Sequence, residues 1–113
     1  MYTYKAKISN VVDGDTMDAI VDLGFYMTFK IRLRVMNLDT PETFKPRSES
    51  EALHGSAASG KAKELLLNKD VVIKTNKDMS VYGRYSAIIT MPDGRDFAEV
   101  MVKEGFQKKE KYE

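Results

Sequence analysis

The sequence predicts a mainly β fold: a small barrel of five short strands with two helices. Three observations carry that expectation. Apolar residues alternate with a period of two through the first third of the chain. One long helical pattern then interrupts the strands, and two further strands are followed by a short helix ending at a glycine. With 113 residues the chain has the length of one domain, residues 1–113, without internal repeats or a linker.

Residues 4–12 alternate loosely around Ala6, Ile8 and Val11 and run into the turn dipeptide Asp13-Gly14. Residues 16–23 place Met17, Ala19, Val21 and Leu23 on one face, and Gly24 breaks the run. Residues 25–36 resume it, with Phe25, Met27, Phe29, Ile31, Leu33 and Val35 on one side and Lys30, Arg32 and Arg34 on the other. These segments form an antiparallel meander. After the turn-like Asp39-Thr40-Pro41-Glu42 and a polar loop over 43–50, residues 51–67 read as a helix. Its apolar side holds Leu53, Ala57, Ala58, Ala62, Leu65 and Leu66. Residues 70–75 and 84–91 are two more strands, 96–104 a short helix capped by Gly105, and the closing KKEKYE a solvated tail. Three strands, a helix, two strands and a helix match an OB-fold barrel, with an open α+β sheet as the competing architecture.

Composition narrows the chemistry. Hydrophobic residues make up 42% and charged residues 31%, as in a folded globular domain. No apolar run is long enough to span a bilayer. The absence of cysteine excludes disulfides and thiolate chemistry, and a single histidine, His54, argues against a histidine-built metal site or a serine triad. Eighteen basic residues against 17 acidic ones leave a net charge of +1, so any polyanion site must be built locally. The N-terminal MYTYKAKISN lacks the apolar core of an export signal. That implies a cytoplasmic location unless the chain is the mature form of a secreted protein.

Four short segments could carry chemistry, and each has an ordinary structural reading. Asp13-Gly14-Asp15-Thr16 can be a simple turn. Asp39-Thr40-Pro41-Glu42 can be a helix start, with Thr40 as N-cap and Pro41 in the first turn. Arg34 can sit on a wet strand face, and Tyr82-Gly83-Arg84 can be a turn entering a strand. His54 reads as structural, and the seven methionines as gap fillers. Taken together they describe more. Asp15 and Asp39 offer hard oxygen ligands for calcium or magnesium. Glu42 can hold or deprotonate a water, while Arg34 and Arg84 can grip a phosphate with planar guanidinium forks. Metal, water and phosphate clamps make a site for phosphodiester hydrolysis.

The chain resembles the staphylococcal nuclease (thermonuclease) family over nearly its whole length. The motifs that carry the resemblance are VVDGDT at 11–16, Arg34 five residues before Asp39, LDTPET at 38–43, YGR at 82–84, and PDG at 92–94 with VKEG at 102–105. It implies a calcium-dependent endonuclease and exonuclease on an OB barrel, acting on DNA and RNA and leaving 3′-phosphate ends. Single strands should be the easier substrate. Asp15, Asp39 and the Thr40 carbonyl would hold the ion. Glu42 would serve as general base, Arg34 and Arg84 would contact the scissile phosphate, and Tyr82 and Tyr112 would bind the nucleotide. A monomer is expected, without membrane partners. Ser80 and Val81 depart from the acidic and basic residues the family often carries there, and Ala98 from its usual asparagine. Relatives continue into a third helix that is expected to be missing here. A catalytically inactive nucleic-acid- or protein-binding module is the alternative, and a structural calcium-binding domain a weaker one.

Overall fold

In the computed structural model, which describes residues 1–41, 47–80 and 83–109, the strands are β1 (Tyr2–Asp13), β2 (Thr16–Gly24), β3 (Met27–Val35), β4 (Asp70–Thr75) and β5 (Tyr85–Thr90). The helices are α1 (Glu49–Leu66), between β3 and β4, and α2 (Phe97–Lys103), after β5. The strands close into one barrel in the order β1-β2-β3-β5-β4, the OB-type arrangement rather than an open sheet. The pairings are antiparallel except β3 with β5, which run parallel over Leu33–Val35 and Tyr85–Ala87 and close the barrel.

Alternation puts one row of each strand inside. Ile8, Met17, Leu33, Ile73 and Ile89, one from each strand, are fully buried, and Leu66, Phe97 and Met101 join them from the two helices. Each such side chain contributes roughly 1.5–3 kcal/mol by leaving water. Asp96 caps α2, accepting the N–H groups of Ala98 and Glu99. Gly105, at φ 87°, ends that helix as a left-handed cap: the Phe106 N–H donates to the Met101 carbonyl at 2.9 Å and the Gly105 N–H to Val102 at 3.1 Å.

Four expectations are corrected. The third strand begins at Met27, not residue 25. Gly24 pairs with Met27, so Phe25 and Tyr26 form a two-residue hairpin turn and are fully exposed. The apolar row 25–35 is therefore buried only from Leu33 onward, because β3 meets β5 only over its last three residues.

The inner line of α1 is Glu51, Gly55, Ala58, Ala62 and Leu66, whereas Leu53 and Ala57 face solvent. Ala58, Ala62 and Leu66 stand on the expected side, but small residues let the helix lie close on the barrel, so Gly55 and Glu51 take the inner places expected of Leu53 and Ala57. Among the described residues the helix that follows Thr40 is α1, and its cap is another residue: α1 starts at Glu49, where the Ser48 hydroxyl accepts the Glu51 N–H at 3.2 Å. Finally, Lys108 does not belong to a solvated tail, since its backbone N–H donates to the Asp39 carbonyl at 2.6 Å.

Candidate functional site

The β1–β2 turn and the chain leaving β3 meet at one end of the barrel because Thr16 pairs with Arg34 and the Val35 N–H donates to the Asp15 carbonyl at 2.8 Å. Asp15 is almost buried there. Its Oδ2 accepts the backbone N–H of Thr40 at 2.9 Å, and its Oδ1 accepts the Thr16 hydroxyl at 3.1 Å. Gly14 makes this approach feasible. A Cβ at that position would stand 2.7 Å from Thr40 Cγ2 and 3.0 Å from Ala58 Cβ. Its glycine is needed for closeness, not for an unusual backbone angle.

Arg34 ties the cluster together. Its Nη2 lies 3.3 Å from Asp15 Oδ2 and 3.4 Å from Asp39 Oδ1, while Nη1 donates to the carbonyls of Val35 and Leu38. One guanidinium nitrogen thus serves both carboxylates, and the other fixes the backbone that carries Asp39. The neighbouring Arg32 is committed elsewhere. It faces Asp18 across the β2–β3 pair in a two-pronged bridge of 2.8 and 3.2 Å, and that hydrogen bond holds the Asp18 carboxyl below its usual range.

Asp39 is more open, with 56% of its side chain exposed. Its backbone is clamped by the segment after α2: the Asp39 N–H donates to Gln107 Oε1 at 3.1 Å, opposite the Lys108 contact. Arg84 stands one residue before β5, on the parity of Ser86, the register partner of Arg34. Glu42, Tyr82 and Tyr112 lie outside the described residues.

A family model described as staphylococcal nuclease homologue matches residues 32–113. The chain belongs to this family. Among its staphylococcal nuclease relatives, the thermonuclease of Staphylococcus hyicus is 34% identical over 108 residues, covering 94% of this chain and 59% of that protein. The thermonuclease of Staphylococcus intermedius is 32% identical over 106 residues, 93% of this chain and 59% of that protein. Endonuclease YncB of Bacillus subtilis (strain 168) is 33% identical over 100 residues, 87% and 44% respectively. The chain therefore spans about half the length of the curated relatives it matches. No helix among the described residues is long and apolar enough to cross a membrane.

The donor set suits a hard cation. Asp15 and Asp39 bring carboxylate oxygens to one guanidinium, and the Thr40 hydroxyl beside them is buried without a hydrogen-bond partner among the described residues. Among those residues no third acidic or histidine side chain joins them. Calcium, which takes six to eight oxygens in flexible geometry, fits two carboxylates completed by a carbonyl, waters and a phosphate oxygen.

The sequence reading missed the supports of this cluster. Glu51 is fully buried; its Oε1 accepts the Arg47 backbone N–H at 2.7 Å and its Oε2 the Arg47 Nε at 3.1 Å. Arg47 in turn donates to the Lys109 carbonyl at 3.2 Å, and Lys108 Nζ lies 4.0 Å from Glu51. The capping pattern at Ser48–Glu51 was a local signal for Glu51, but Gln107 gave none: its partner is 68 residues away.

Proposed function

We propose that the chain is a calcium-dependent nuclease that hydrolyses phosphodiester bonds in DNA and RNA and leaves 3′-phosphate ends. The observation that supports it best is the convergence of Asp15, Arg34, Asp39 and Thr40 at one end of the barrel. Asp15, Asp39 and the Thr40 carbonyl would hold the ion, which when bound supplies positive charge against the phosphate and lets a water approach it. Glu42 orients that water and takes its proton. Arg34 and Arg84 donate hydrogen bonds to the phosphate oxygens as charge builds on the five-coordinate phosphorus, until the P–O5′ bond breaks and the 5′ oxygen leaves and takes up a proton. Tyr82 and Tyr112 flank the nucleotide, and single strands seat most readily because their bases are free to leave a stack.

The test is cleavage of single-stranded DNA by the wild-type chain in calcium, in EDTA, and by Glu42→Gln purified identically. Calcium-dependent cutting that falls by about a hundredfold or more in Glu42→Gln is expected. Binding without cutting in calcium would overturn the enzyme and leave a binding module.

A further inference from the structure

We propose that the open mouth of the barrel, on the side bounded by the β2–β3 hairpin, is a second nucleic-acid subsite that takes unpaired bases of a single strand. The proposal rests on the nuclease reading for its ligand class. The mouth is a groove of about 290 Å³. Its aromatic lining is Tyr2, Tyr4, Phe29 and Tyr85, with Asn76 and Lys77 at the side. Tyr2 and Tyr4 are stacked with centroids 6.5 Å apart.

Three features point to bases rather than to another occupant. First, the groove shares β3 and the start of β5 with the segments that carry the proposed phosphate clamp. Tyr85 directly follows Arg84 and pairs in register with Leu33, the neighbour of Arg34. Second, its chemistry suits a base on a polyanion. The aromatic faces are flat, Asn76 can hydrogen-bond a base edge, Lys77 supplies a cation, and no carboxylate lines the groove among the described residues. A volume at the low end of ligand pockets admits unstacked bases and not a duplex.

Third, the hairpin is built against its own turn preference. A two-residue turn with both φ values positive favours Asn-Gly, yet Phe25 and Tyr26 occupy it at φ 57° and 62°. Their rings stand fully in solvent beyond the groove. Strain kept for exposed aromatic rings points to a contact outside the fold.

Binding of a labelled oligothymidylate about fifteen nucleotides long, in EDTA so that nothing is cut, tests this by anisotropy. Phe25→Asn/Tyr26→Gly relieves the turn, so it should fold at least as well as wild type while losing affinity. Phe29→Leu with Tyr85→Leu keeps apolar bulk without flat rings and should weaken binding about tenfold. Lys77→Ala should lower the salt dependence of binding by about one ion. In calcium, these variants should raise KM for the oligomer and leave kcat on a thymidine dinucleotide unchanged.

Wild-type affinity in all three variants, or no oligomer binding by the wild type, overturns the subsite. So does a dimer, or attachment to phosphatidylcholine vesicles, that the hairpin variant abolishes while oligomer binding persists. A wild type that binds through these rings but never cuts supports the groove and defeats the nuclease reading alone.

Discussion

Asp15 and Thr40, 25 residues apart in sequence, are joined by a buried hydrogen bond of 2.9 Å from the Thr40 N–H to the Asp15 carboxylate. The bond holds the turn after β1 against the segment that leaves β3, and so sets the spacing of the two candidate metal-binding carboxylates. Asp15 therefore has a structural task beside the chemical one proposed for it, and substitutions can separate the two.

Asp15→Asn keeps an oxygen for the Thr40 N–H but removes the charge. Its unfolding free energy should stay within about 1 kcal/mol of wild type, while calcium affinity and cleavage fall by at least about tenfold. Asp15→Ala leaves that N–H buried without an acceptor and should cost about 1–3 kcal/mol in stability as well. Urea unfolding and calcium titration of both variants check the contrast. Equal stability of the two would show that the bond carries no weight.

Gly14→Ala tests the close approach behind the same turn. The added methyl would meet Thr40 Cγ2 at 2.7 Å and Ala58 Cβ at 3.0 Å, and both belong to backbone-anchored side chains with little room to move. A loss of about 1–3 kcal/mol is expected from overpacking. Cleavage should drop about tenfold through the displaced Thr40, with calcium affinity reduced in parallel. A thermal melt matching wild type would mean that α1 shifts at no cost.

The barrel was legible because strand alternation is local: β4 is found at the residues expected, and the other strand ends move by at most two residues. The carboxylates and Arg34 were legible because the turn and strand ends that carry them have distinctive local composition. What could not be read were relations between distant segments. Gln107 is ordinary in sequence and acquires its role only by meeting Asp39. Gly55 looks like a weak helix position, yet it faces the barrel because closeness outweighs hydrophobic area there. Phe25 follows the strand pattern, whereas the turn geometry places it in solvent.

Glu51 anchors the segment before α1 to the segment after α2, through Arg47 and Lys108. The Arg47 backbone N–H, with its side chain adding to the effect, holds the Glu51 carboxyl below its ordinary value. Glu51→Ala strands the Arg47 donors and should lower Tm by several degrees, with Glu51→Gln intermediate because it retains one acceptor. The effect should reach Asp39, whose carbonyl is held by Lys108, so weaker calcium binding is expected with the melt. Lower Tm with unchanged calcium binding would confine Glu51 to stability.

Asp18 and Arg32 give a pH-dependent prediction. The Arg32 hydrogen bond is the main cause lowering the Asp18 pKa from 3.8, and Asp18 correspondingly raises that of Arg32. A carboxyl depressed in the folded state stabilises it above the unfolded pKa and loses that contribution as pH falls through the folded value. Wild type should thus exceed Asp18→Asn by about 0.5 kcal/mol near neutrality, a small figure because the pair is partly exposed. The gap should close below pH 3.8, once Asp18 is protonated. Arg32→Gln should reproduce it, and urea unfolding of the three proteins across this range reads it directly. The pair also keeps Arg32 away from the face where Arg34 holds Asp15 and Asp39, so Asp18→Asn should weaken calcium binding less than Asp15→Asn does. A gap that widened on acidification would mean that the pair opposes folding.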